Sequence, residues 1–561
     1  MADGVMMTMA NVERKPNSDI VIVGGGSAGT LLAARLSEEP DSRVLLIEAG
    51  EEATDPDIWK PTAWPTLQGR SYDWDYRTEP QAGTAGRVHH WARGRLIGGS
   101  SCLHAMGYMR GHPSDFQTWV DATGDRRWSW DELLSVFQAI EDHPLGGDGI
   151  HGKGGPLPIH LPADEVSPLA RAFTEAGAAL GLPRLEGHNS GEMIGVTPNS
   201  LNIRDGRRVT AADAWLTKAV RGRKNLTILT GSRVRRLNLE GNQVRSLEVV
   251  GRQGPVEVFA DQVVLCAGAL ESPALLMRSG IGPHHVLDAA GVGCLIDMPE
   301  IGRNLQDHLL GAGNLYAARK PVPPSRLQHS ESMAYMRADG LTATGQPEIV
   351  VGCGVAPIVS ERFQAPAAGT AYSLLFGITH PTSRGSLRIS GPEVGDRLII
   401  DPAYLQTGRD RELFRQALEA ARTIGHKDEL AGWRERELLP STLNSAAEMD
   451  DFIAQSVITH HHPCGTCRMG KDPDAVVDAN LRLKALDNLF VVDASIMPNL
   501  TAGPIHAAVL AIAETFARWH RKEFRCDERH HRGLRSKVAR DAEAGAKRLP
   551  GLDDGARAWP S

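Results

Sequence analysis

One short stretch restricts the fold of this chain more than any other. Asp19-Ile20-Val21-Ile22-Val23 runs straight into Gly24-Gly25-Gly26-Ser27-Ala28-Gly29. The apolar, β-branched run predicts a buried strand. A helical pattern follows through Leu31, Leu32, Ala34, Arg35 and Leu36, and then a second strand, Arg43 to Glu48. Gly24, Gly26 and Gly29 fill the three positions of G-x-G-x-x-G: the tight turn, the approach of backbone to a pyrophosphate, and the packing of helix on strand. A pyrophosphate would rest at the helix N-terminus, by Ser27 and Ala28, where free N–H groups and the helix dipole favour anions. Glu48, followed by Ala49, stands where an acid takes the adenosine ribose hydroxyls and disfavours a 2′-phosphate. The unit predicts an α/β (α+β) fold with a Rossmann-like dinucleotide-binding domain. It does not separate FAD from NAD.

The 561 residues suffice for several core-sized units, which a large enzyme can weave into two interleaved domains. The net charge of −7 argues against nucleic acid as the main partner. Seven cysteines, scattered from Cys102 to Cys526, do not form a disulfide framework and favour a reducing compartment. The first eighteen residues lack a continuous apolar core, and Ala507 to Ala513 falls far short of the ~20 apolar residues of a membrane helix. The expectation is a soluble, cytoplasmic monomer with no membrane partner and flexible termini at 1–16 and 526–561.

Glu51 to Arg93 is irregular and rich in aromatics: Trp59, Trp64, Tyr72, Trp74, Tyr76 and Trp91. Long irregular stretches are usually functional. This one either covers a bound cofactor or packs its tryptophans locally. Gly98, Gly99 and Ser100 then allow the backbone to close on a planar or phosphate group. Gln262 to Cys266 is a strand entering a glycine turn at Gly268, and Ser272-Pro273 predicts a helix start, with Ser279-Gly280 its stop. Asn488 to Val492 is a buried strand ending in Asp493. Thr501-Ala502-Gly503-Pro504 opens a helix with Pro504 at its first position, and the positive end of that helix suits an anion.

Thr459-His460-His461-His462-Pro463-Cys464-Gly465-Thr466-Cys467 is the candidate catalytic stretch. Pro463 pushes His462 out of the α region, and in an extended segment alternate side chains share a face. His460 and His462 then converge on one substrate, with His461 opposite. Imidazole titrates near neutrality and is the commonest general base. Taken alone, the same residues are also compatible with an exposed strand end, or with zinc held by His460, His462, Cys464 and Cys467.

The segments Gly94 to Gln117 and Gly268 to Gly282 are similar to the two signatures of the glucose–methanol–choline oxidoreductases, a family of FAD enzymes. With the glycine fingerprint and the histidine stretch, the resemblance covers residues 17–525. It implies FAD rather than NAD. It implies an FAD-binding domain over 17–160, 201–310 and 457–525, interleaved with a substrate-binding domain over 161–200 and 311–456 built on an antiparallel sheet with helices. Gly24, Gly26, Ser27, Ala28, Gly29, Glu48, Ala49, Gly98, Gly99 and Ser100 would hold the cofactor. Val234 would contact adenine through its backbone, and Asp493 and Ala494 would meet the ribityl chain. Leu103 stands where choline oxidase attaches its flavin to a histidine, so the FAD is expected to be non-covalent and held partly by His104.

His462 matches the family's catalytic histidine. Pro504 falls at the second catalytic position, usually His or Asn, where a proline neither accepts nor donates a proton; the supporting role passes to His460. Within the family, His460, His462 and Pro504 imply pyridoxine as the small-molecule alcohol, oxidised at its 4-hydroxymethyl group, with dioxygen as acceptor and hydrogen peroxide as product. The rivals are a dehydrogenase using another acceptor, a hydroxynitrile lyase that keeps FAD without net redox, and a non-catalytic flavin protein. With flavin implied, no metal is expected, and Cys464 and Cys467 become packing residues, a redox C-x-x-C being the minor alternative.

Overall fold

The computed structural model describes residues 13–252, 254–340, 344–440 and 442–521. The expected flexible tail at 526–561 lies outside them. Strand β1 (Glu13–Val23) leads through the glycine turn into helix α1 (Ser27–Leu36), and β2 (Val44–Ile47) is buried along its length. β1 begins within the expected flexible end, Glu13 to Lys15 pairing with Val256 to Val258. Helix α2 (Pro168–Ala179) and strand β3 (Gly195–Pro198) come next, then β4 (Leu226–Leu229), β5 (Arg233–Glu240), β6 (Gln243–Gly251) and β7 (Gly254–Leu265). After helix α3 (Gly268–Arg278) follow four largely buried strands: β8 (Leu309–Ala318), β9 (Ser330–Met336), β10 (Ile349–Gly354) and β11 (Ala371–Ile378). Helix α4 (Gly408–Gly425), β12 (Arg434–Leu439), helix α5 (Ala446–Ser456), β13 (Val457–Thr459) and β14 (Leu489–Val491) precede a last helix, α6, over 506–521. Both sheets lie in the compact unit that ends at Thr515. Among the described residues no helix is long and apolar enough to cross a membrane.

The first sheet has the order β4-β2-β1-β7-β6-β5, with β14 also paired to β7. The strands β4, β2, β1, β7 and β14 are parallel, while β6 and β5 continue antiparallel from the N-terminal half of β7. Register places Val23 beside Ile47 and Leu265, and Leu265 beside Val491, so four strands end level. Ligands of open α/β sheets bind outside the carboxyl ends of such strands. The second sheet, β12-β8-β11-β10-β9-β3 with β13 on β8, is antiparallel throughout. Helices α4 and α2 pack against it and touch each other. β13, which the sequence groups with the first sheet, pairs in the second.

Helix α3 starts at Gly268, not at Ser272-Pro273, so Pro273 lies inside it. Proline cannot donate to the carbonyl four residues back, that of Ala269. Thr466 Oγ1 donates to that carbonyl instead, at 2.6 Å. Ser272 spends its hydroxyl on Asp493, at 2.6 Å. The stop is where the sequence puts it, with Gly280 at φ +81°.

Candidate active site

A cavity of about 800 Å³ begins at the level strand ends and continues to the antiparallel sheet. At its first end the wall is Gly24, Gly26, Ser27 and Ala28 after β1, Glu48 and Ala49 after β2, and Asp493 and Ala494 after β14. Gly99 and Ser100 close it from the other side; a Cβ on Gly99 would lie 2.7 Å from the Gly26 Cα. The cradle is thus one that added side chains would fill. Gly29 and Gly98 sit behind this wall. A methyl on Gly29 would lie 1.9 Å from the Gly24 carbonyl oxygen, and the Gly98 N–H donates to the Gly25 carbonyl at 2.8 Å.

Glu48 accepts from the Gly25 N–H at 2.7 Å on one oxygen and from the Gly50 N–H at 2.8 Å on the other. Each oxygen keeps a further lone pair for a hydroxyl. Burial pushes this carboxyl up to about 7. Asp493 accepts from the Gly268 N–H at 2.8 Å and the Ser272 hydroxyl on one oxygen, and from the Ser495 N–H at 2.8 Å on the other. Its carboxylate therefore braces the ends of β7 and β14, and its burial raises the pKa. Val234 borders the same end beside Ser232 and Arg233 and pairs with Val249.

His104 accepts on Nδ1 from the Met106 N–H at 2.9 Å and the Arg208 guanidinium at 3.1 Å, which puts its ring proton on Nε2. That Nε2 is buried without a protein partner, and so are both ring nitrogens of His506, whose ring centroid is 4.8 Å away. Both rings line the cavity. Orphaned polar groups beside a glycine cradle are what a polar ligand satisfies, so the residues present fit a dinucleotide. The aromatic stretch divides: Trp64, Trp74 and Tyr76 line the cavity, Trp91 is buried and bonds Tyr404 at 2.9 Å, and Trp59 and Tyr72 pack around Ile58, Leu96 and Cys102.

At the other end stand the histidines. Thr459 lies opposite Leu309, and the ladder resumes where Cys464 pairs with Gln306. Over this interval the β8 side advances three residues and the other side five. The surplus loops out as a bulge, and His461 takes the left-handed turn, with φ +61°. The extended segment predicted from Pro463 is therefore interrupted. His460 and His462 do lie together, with ring centroids 4.4 Å apart, but the bulge and not strand alternation brings them there. His461 does not point away: its ring lines the same cavity, its Nε2 3.5 Å from the Gln68 amide.

The bulge is pinned by its own backbone. The N–H of His460 donates to the His308 carbonyl at 2.8 Å, that of His461 to Thr459 Oγ1 at 2.9 Å, and that of His462 to Asp307 at 2.6 Å. The Arg93 guanidinium donates to the His461 carbonyl at 2.6 Å. Asp307 also accepts from Thr459 Oγ1 at 2.6 Å and from the Tyr404 hydroxyl. Burial lowers His460 to about 4. It drives His462 and His461 well below the ordinary 6.5, with His460 and Arg93 adding to it. Three neutral imidazoles thus face the cavity. Pro504 and Ile505 complete the wall. Helix α6 begins at 506, and Ile505 is the carbonyl that accepts from Val509, so Pro504 precedes the first turn and does not open it.

Arg93, Arg208, Asp307 and His308 escape the sequence reading. Arg93 immediately precedes the first signature, and Asp307-His308 sits just ahead of β8; an acid and a histidine before a buried strand are the only signal there. Cys464 and Cys467 are fully buried, free thiols. Among the described residues no group of three or more His, Cys, Asp or Glu is disposed to hold a metal ion.

Two family models described as GMC oxidoreductase match residues 18–310 and 381–513. A pyridoxine 4-oxidase of Microbacterium luteolum is 66% identical over 498 residues, covering 89% of this chain and 98% of the relative. Human mitochondrial choline dehydrogenase is 35% identical over 542 residues, 91% of each chain. Among solved structures, a pyridoxine 4-oxidase from Mesorbium loti is 92% identical with a TM-score of 0.90, over 90% of this chain and 99% of that one. A formate oxidase superposes with a TM-score of 0.83 at 26% identity, over 92% of this chain and 99% of that one.

Proposed function

The chain belongs to the GMC oxidoreductases, and from that premise we propose that it is an FAD-dependent alcohol oxidase converting pyridoxine to pyridoxal. The observation that carries the reading is the neutral His460–His462 pair, facing a cavity whose far end is a glycine cradle. The fit to FAD rests on Gly24, Gly26, Ser27, Ala28, Glu48, Ala49, Gly99 and Ser100 for the adenosine and pyrophosphate, with Val234, Asp493, Ala494 and His104 along the rest. Bound FAD supplies a hydride acceptor that dioxygen re-oxidises, giving hydrogen peroxide. Leu103 on the wall supports non-covalent attachment, since its side chain offers no nucleophile.

His462 takes the proton of the substrate hydroxyl. An alcohol is far too weak an acid to ionise at neutral pH, so a positioned, unprotonated imidazole has to accept the proton as the carbon is oxidised. His460, in contact with His462, orients the hydroxyl. Met109, Leu310, Met333 and Leu375 give this end of the cavity an apolar surface that excludes water. The two sheets support the division into an FAD-binding domain over 17–160, 201–310 and 457–525 and a substrate domain over 161–200 and 311–456, with β13 moved to the latter. We read the protein as a cytoplasmic monomer.

Anaerobic mixing with pyridoxine tests this. The oxidised flavin band should bleach, and the same mixture in air should consume dioxygen and release peroxide. A flavin that stays oxidised in excess pyridoxine removes the substrate assignment; bleaching without peroxide turns the reading to a dehydrogenase. Acid precipitation should leave the yellow cofactor in the supernatant.

A further inference from the structure

We infer that His308 is a positioning residue that holds His462 in the tautomer with a bare Nε2, the nitrogen that takes the substrate proton. This rests on the assignment of His462 as the base. His308 is buried, only 4% exposed, and lies behind His462 outside the cavity wall. The two rings meet almost at right angles, Nδ1 to Nδ1 at 2.9 Å. On its other side His308 Nε2 lies 2.7 Å from the carbonyl oxygen of Thr379.

Proton bookkeeping settles the tautomers. A carbonyl only accepts, so His308 Nε2 carries a proton. A neutral His308 then has a bare Nδ1, and the single proton between the two Nδ1 atoms belongs to His462. His462, neutral as well, is left with no proton on Nε2. The alternative needs a cationic His308 donating from both nitrogens. Burial opposes that charge most, and the neighbouring His460 and His380 add to it, outweighing the Thr379 carbonyl and Asp115, which favour it; the balance lowers His308 to about 3.

The Thr379 carbonyl is itself fixed. It follows directly on β11, and the Thr379 N–H donates to the Glu348 carbonyl at 3.0 Å. The Asp307 carboxylate holds the His462 backbone in place, so ring and main chain of the base are gripped by adjacent residues. In the proton step the substrate O–H bond breaks, the His462 Nε2–H bond forms, and the Nδ1–H bond to His308 persists throughout. A base held in the wrong tautomer presents a proton where a lone pair is needed, a fault known to be costly in other enzymes.

The test uses holoenzyme carrying ¹⁵N-labelled histidine, with His308→Leu, His308→Asn and His462→Ala beside the wild type. His462→Ala identifies the His462 signals by their loss. We expect the wild-type ring to show the Nδ1–H tautomer. His308→Leu, which removes the acceptor, should slow anaerobic flavin reduction by pyridoxine about 10²-fold with substrate affinity little changed, and should shift His462 towards Nε2–H. The amide oxygen of Asn reaches the place of Nδ1, so His308→Asn should recover much of the rate. A wild-type Nε2–H signal overturns the inference, whether or not the variants fold. So does a normal reduction rate in His308→Leu, or equal losses in Leu and Asn. Normal reduction in His462→Ala would instead overturn the base itself.

Discussion

The cavity wall supplied by the parallel sheet is largely backbone, whereas the wall supplied by the antiparallel sheet is side chain. At the parallel end, glycines approach within a carbon's width of one another, and the acids Glu48 and Asp493 are partly spent on backbone N–H groups of neighbouring turns. At the antiparallel end, the wall presents imidazole nitrogens, set by a bulge and held by Asp307, Arg93 and His308. The difference teaches where each end is vulnerable. A backbone surface fails when any atom is added to it. A side-chain surface fails when a particular group is removed, and tolerates change beside it.

The sharpest way to break that comparison is at the base. His462→Ala should keep its FAD while flavin reduction by pyridoxine falls about 10²–10⁴-fold, and His460→Ala should lose both rate and substrate affinity. Stopped-flow reduction under anaerobic conditions reads both. Retained reduction in His462→Ala would mean that the antiparallel wall does not carry the chemistry.

The second effect concerns pH. Glu48, raised to about 7 by burial against an ordinary 4.5, stabilises the cofactor-free fold fully below 4.5 and loses that contribution as pH rises through 7. The shift corresponds to about 3 kcal/mol. The buried histidines, lowered in pKa, slope the opposite way, so the reading is the difference: the Tm of Glu48→Gln apoprotein relative to wild type should rise between about pH 5 and pH 8. An unchanged difference would show that the cradle's acid is not the titrating group.

Adding one methyl to the parallel end comes third. Gly29→Ala meets the Gly24 carbonyl; overpacking of this kind costs about 1–3 kcal/mol, or roughly ten- to hundredfold in FAD retention, measured as flavin per protein after gel filtration. The smallest effect is expected at His461. Its backbone N–H and carbonyl make the contacts that pin the bulge, and these survive His461→Ala. Its reduction rate should drop by less than about tenfold. A loss matching that of His462→Ala would show that three rings, not two, do the work.

Legibility followed the same divide. The parallel end was readable because backbone constraints leave glycines at fixed spacing: Gly24, Gly26 and Gly29 predict turn, helix and strand, and Glu48 falls where the motif puts an acid. The pairing of His460 with His462 is legible too, but its cause is not, because a bulge is a mismatch between two strands and neither strand displays it alone. His308, Asp307 and Thr379 lie far from the histidines in sequence and meet them only through antiparallel register. Pro273 misplaced the start of α3 because its missing donor is replaced from Thr466, a residue almost two hundred positions away.

That replacement makes the history of the chain depend on the order of its changes. While residue 273 is a proline, losing the Thr466 hydroxyl strands a buried carbonyl, at a cost of about 1–3 kcal/mol. Once residue 273 regains an N–H, the helix can serve its own carbonyl and position 466 is released. Substitution at 273 can therefore open the way to drift at 466, but not the reverse. Thr466 lies just past the histidine bulge and α3 starts beside the glycine cradle, so this one-way dependence ties the inheritance of the two ends of the cavity together.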